Sequence, residues 1–103
     1  MGLNKLSELA DVVRSKNAGP AQLTIDIFFR NNAAYLQAVA SPALSCAAVA
    51  DLYQLDAAQV RRFDLPTLSA MKLSMPRRLC AGDPGDGDVY GAQQHAPLLE
   101  VLL

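Results

Sequence analysis

The chain has 103 residues, 51% of them hydrophobic and 18% charged, with a mean hydropathy of +0.14. This suits one globular domain with a buried core and speaks against both intrinsic disorder and a second folded domain. Nine Lys and Arg against ten Asp and Glu, with no long run of either sign and no Trp, provide neither a basic footprint nor a stacking platform for nucleic acid. No apolar stretch reaches the roughly 18 residues of a membrane span, and the start, Met1-Gly2-Leu3-Asn4-Lys5, runs into Glu8 and Asp11 instead of a signal peptide. The expectation is a cytoplasmic protein with no membrane and no nucleic-acid partner.

Taken in chain order, residues 3–14 place apolar side chains at 3, 6, 9, 10 and 13, a helical spacing, although Val12 and Val13 also allow a short strand over 9–14. Asn17-Ala18-Gly19-Pro20 breaks either element. Residues 22–29 alternate Leu23, Ile25, Ile27 and Phe29 with Thr24, Asp26 and Phe28, the pattern of a central strand. Asn31 or Asn32 caps a helix closed by Ser41-Pro42, and a second Ala-rich helix covers 43–55. Residues 59–65 predict a strand, Pro66-Thr67 a turn, and 68–75 a further strand with Ala70, Lys72 and Ser74 on one side and Met71, Leu73 and Met75 on the other. Residues 81–88 read as a Gly- and Asp-rich loop. The apolar end, Leu98-Leu99-Glu100-Val101-Leu102-Leu103, docks as a helix or short strand. Helices and strands alternate without a βαβ rhythm, so the fold class is α+β, a small, mainly antiparallel sheet with helices on one face.

Metal chemistry finds little support. Cys46 and Cys80 form no C-x-x-C pair, His95 is the lone histidine, and the loop over 81–88 lacks the frame and closing Glu of a calcium-binding EF-hand. No metal and no cofactor is expected. Two polar segments stand out instead. In residues 14–20, Arg14, Ser15, Lys16 and Asn17 surround a Gly turn, and such a loop presents donors to a carboxylate or phosphate. In residues 88–97, Asp88, Tyr90, Gln93, Gln94 and His95 lie together, a possible acid–base group with orienting partners, although a structural role for a single His is the simpler reading. No Ser-His-Asp triad can be assembled.

The strings Val13-Arg14-Ser15-Lys16-Asn17-Ala18-Gly19-Pro20 and Asp88-Val89-Tyr90-Gly91-Ala92-Gln93-Gln94-His95-Ala96-Pro97-Leu98-Leu99 resemble the signature segments of a small bacterial family of unknown function, related to the acyclic terpene utilisation protein AtuA. Leu23-Thr24-Ile25-Asp26 and Leu52-Tyr53 extend the likeness along most of the chain. The plan is also similar to the C-terminal domain of longer AtuA-like proteins, where an Arg-Ser-Gly-Asp-Lys-Gly-type loop replaces 14–19 and a Glu-Leu-Pro-Asn-Leu-type segment resembles Asp64-Leu65-Pro66-Thr67-Leu68. The resemblance implies a ferredoxin-like fold, with a strand over 9–14. It further implies a small accessory subunit of a larger AtuA-like enzyme, a lyase or hydratase acting on an organic acid or acyl-CoA. Arg14, Ser15, Lys16, Asn17, Gln93 and Gln94 would then bind substrate, and His95, Tyr90 and Asp88 would carry catalysis. The alternative is a noncatalytic module whose signature segments form a docking surface, with self-association as a further expectation.

Overall fold

A computed structural model describes residues 4–19, 21–76 and 96–103. Helix α1 (Leu6–Leu9) is one turn that buries Leu6 and Leu9 and leads straight into strand β1 (Ala10–Gly19). The helical spacing over 3–14 therefore holds for a single turn only. The β-branched Val12 and Val13 join the sheet, in line with the strand implied by the resemblance.

Strand β2 (Gln22–Phe29) follows and pairs antiparallel with β1. Its odd-numbered side chains, Leu23, Ile25, Ile27 and Phe29, are all buried. Helix α2 (Asn32–Ala40) begins at Asn31, whose Oδ1 accepts the Ala34 N–H at 2.8 Å. The Ala-rich stretch after it is shorter than its pattern predicts. A 3-10 turn (Pro42–Leu44) comes first, and Ser45 then restarts the chain as helix α3 (Cys46–Leu52) by accepting the Ala48 N–H. Pro42 has no N–H to continue a helix from α2, and each serine offers a fresh cap. A turn (Ala57–Gln59) leads to β3 (Arg61–Leu65), a second turn (Pro66–Leu68) to β4 (Ala70–Pro76), and a last turn (Ala96–Glu100) docks the C-terminal end. There Leu98 and Leu103 are buried, and Leu102 bridges to Lys5.

The sheet order is β1-β2-β4-β3, with every neighbouring pair antiparallel. Strands β2 and β3 are thus parallel, with β4 between them and the helices α2 and α3 in the connection, the split β-α-β arrangement of ferredoxin-like sheets. The fold is α+β. Leu23, Ile25 and Ile27 of β2 and Met71, Leu73 and Met75 of β4 form a single core with Ala34, Tyr35, Ala38, Leu44 and Val49. This covers one face of the sheet. Among the described residues no helix is long and apolar enough to cross a membrane.

Candidate functional site

Strand geometry sends alternate side chains to opposite faces. On the face away from the helices, the register sets three cross-strand rows. Val12, Phe28, Ala70 and Leu65 form the first, Arg14, Asp26, Lys72 and Phe63 the second, and Lys16, Thr24, Ser74 and Arg61 the third. One end of this open face is apolar. The middle row sets Asp26 between Arg14 and Lys72, and the far row adds Lys16 and Arg61 on the same face, although the whole chain carries a net charge of −1.

The charged rows are partly organised. Lys72 Nζ lies 3.9 Å from Asp26 Oδ1, and the Arg14 guanidinium sits over the Phe28 ring at 5.5 Å from its centroid. Thr24 Oγ1 donates to the Lys16 carbonyl at 3.5 Å. Gln22, Gln59, Arg61, Ser74 and Pro76 line a shallow cleft of about 370 Å³ beside the third row. From β1 to β3 the cations span three strand spacings, about 14 Å. Such a surface suits several anionic groups or an acidic protein face better than one small carboxylate.

The segment over 14–20 reads as a loop by composition, and this is corrected. Residues through Gly19 belong to β1, and the turn follows it. The hydrogen-bonded ladder with β2 supplies order that the local residue types do not, since strand preference depends on context more than on intrinsic propensity. The strand also divides the predicted anion-binding group. Arg14 and Lys16 are exposed on the open face, whereas Ser15 is buried and Asn17 half-buried on the opposite side. Asp88, Tyr90, Gln93, Gln94 and His95 lie outside the described residues.

Asp26, Arg61, Lys72 and Phe63 were missed as members of one surface. Alternation within β2 and β4 already placed Asp26 and Lys72 opposite the apolar side chains, but the register that joins them to Arg14 and Arg61 is a long-range property. Arg62 illustrates the other face. Its Nη1 and Nη2 donate to the Leu44 and Val39 carbonyls at 3.0 and 3.1 Å, and its Nε donates to Asp64 Oδ1 at 2.8 Å. A cation at the end of α2 satisfies carbonyls that a helix leaves without partners and complements its dipole. The role of Arg62 is structural. Tyr53 caps α3, and burial pushes its phenol above the ordinary value of 10.0.

A family model described as Domain of unknown function (DUF4387) matches residues 6–102. No curated protein and no solved structure matches the chain.

Proposed function

We propose, from the premise that the chain belongs to the DUF4387 family, that it is the small accessory subunit of a heteromeric enzyme whose larger subunit is AtuA-like. The enzyme is a lyase or hydratase acting on an organic acid or acyl-CoA. The observation that carries this reading is the open sheet face, where Arg14, Lys16, Arg61 and Lys72 lie in two adjoining rows with Asp26. Guanidinium and ammonium groups at this density attract carboxylates and phosphates, and low-dielectric apolar neighbours such as Phe28 strengthen the attraction. Arg14 and Lys16 hold the anionic group of the substrate, and Tyr90 and His95 orient it or transfer a proton. These last two assignments rest on the family resemblance alone.

The apolar row of Val12, Phe28 and Leu65 beside the cations favours a second reading, in which the face is a noncatalytic docking surface. Co-purification of the chain with a larger AtuA-like protein, read by size exclusion with light scattering, tests the subunit assignment. Stable co-elution supports it, and separate elution at micromolar concentrations contradicts it. Alanine at Arg14 and Lys16 then separates the readings. Lost turnover in an intact complex marks a substrate site, and lost assembly marks a docking surface.

A further inference from the structure

The two edges of the sheet are built differently. β1 is ten residues long, but its register with β2 shifts between Ala10 and Val12 and again between Asn17 and Gly19. Such irregularities discourage pairing with another strand. β3 keeps an uninterrupted register with β4 over its five residues. Phe63 is 46% exposed on it and Leu65 38%, and Leu68, in the adjoining turn, is 61% exposed. Among the described residues no strand pairs with the outer side of β3. Single exposed apolar side chains are ordinary, but three on and beside an unpaired edge leave apolar surface for a partner to cover.

The strand is also self-complementary. When Arg61-Arg62-Phe63-Asp64-Leu65 is laid antiparallel against a second copy with Phe63 on the twofold axis, Phe63 faces Phe63, Arg62 faces Asp64 and Arg61 faces Leu65. Aromatic pairs and opposite-charge pairs are the favourable cross-strand combinations. Arg62 and Asp64 already form a pair within one strand, so this register sets each pair against its copy with opposite charges facing each other. Shifting the register by two residues one way sets Arg62 against Arg62, and the other way Asp64 against Asp64. A shift of one residue turns the second copy over and places Arg62 opposite Phe63.

We infer that β3 is a homodimerisation edge, where a second copy of this chain pairs antiparallel about a twofold axis at Phe63. The result is a continuous eight-stranded sheet with both cationic faces on the same side. This inference stands independently of the enzyme reading above. Two short strands bury less than the roughly 1,000 Å² of a durable interface, so the dimer is a concentration-dependent one.

Light scattering on the full chain from about 1 to 500 µM tests it, a range that spans weak association constants. The wild type passes from monomer to dimer, and Phe63→Glu moves the midpoint upward at least about tenfold with unchanged circular dichroism. In a Cys46→Ala, Cys80→Ala background, Phe63→Cys forms a disulfide-linked dimer on mild oxidation, whereas Leu36→Cys, at a somewhat more exposed position on α2, does not. A wild type that stays monomeric throughout overturns the inference. So does a dimer indifferent to Phe63→Glu, or an absence of cross-linking at position 63.

Discussion

The two faces of the sheet are written by the same four strands yet obey opposite rules. On the helix-covered face, Ile25, Ile27, Met71 and Leu73 are 0 to 1% exposed, and its one cation among the described residues, Arg62, is bound to the Val39 and Leu44 carbonyls and Asp64. On the open face, Arg14, Lys16 and Arg61 are exposed, and their cross-strand neighbours are Asp26, Thr24 and Ser74. One face is committed to holding the fold together. The other carries charge that stability does not require, and charge in that position is available for binding.

Substitutions chosen from opposite faces sharpen the contrast. The largest effect is expected at the core. Leu73→Ala removes a fully buried side chain of the central strand β4 and costs about 2–5 kcal/mol in urea unfolding. Adjacent arginines provide the next comparison. Arg62→Ala leaves the Val39 and Leu44 carbonyls and the Asp64 carboxylate without their partner and costs about 1–3 kcal/mol. Arg61→Ala, one residue away on the open face, stays within about 0.5 kcal/mol of wild type. Equal losses at the two positions would erase the distinction between the faces.

A smaller effect separates the helix layer from solvent. Because the Tyr53 phenol is raised by burial, the unfolded chain loses that proton first, near pH 10.0, while the folded chain retains it. The contribution of Tyr53 to stability is complete below that pH and falls as pH rises past it. Tyr53→Phe, which has no proton to lose, should show a shallower decline in melting temperature across the same range. An identical alkaline slope in both proteins would contradict the assignment.

Much of this division was readable along the chain. The alternation in 22–29 and in 68–75 identified two strands, the first as central, and separated their apolar sides from their polar ones, because a side-chain period of two is local. Polar β1 was harder to see, since its Arg-Ser-Lys-Asn string takes its strand conformation from pairing with β2 and has little β-preference of its own. The cationic face was legible only in pieces. Arg14 and Lys16 stood out as anion-binding candidates, but Arg61 and Lys72 join them through a strand order that inserts β4 between β2 and β3. No local pattern encodes that insertion. Arg62 gave no sign of being different from Arg61, because its partners are 18 and 23 residues away in sequence.

The most direct measurement of the central claim is the binding of a coenzyme A thioester by the complex of the chain with the larger AtuA-like subunit, compared between wild type and the Arg14→Glu, Lys16→Glu double variant by isothermal titration calorimetry at two salt concentrations. The open face as a site for the substrate's anionic groups predicts intact assembly, at least about a tenfold loss of ligand affinity in the double variant, and wild-type binding that weakens as salt rises. Equal ligand affinity of the two complexes, insensitive to salt, would contradict it.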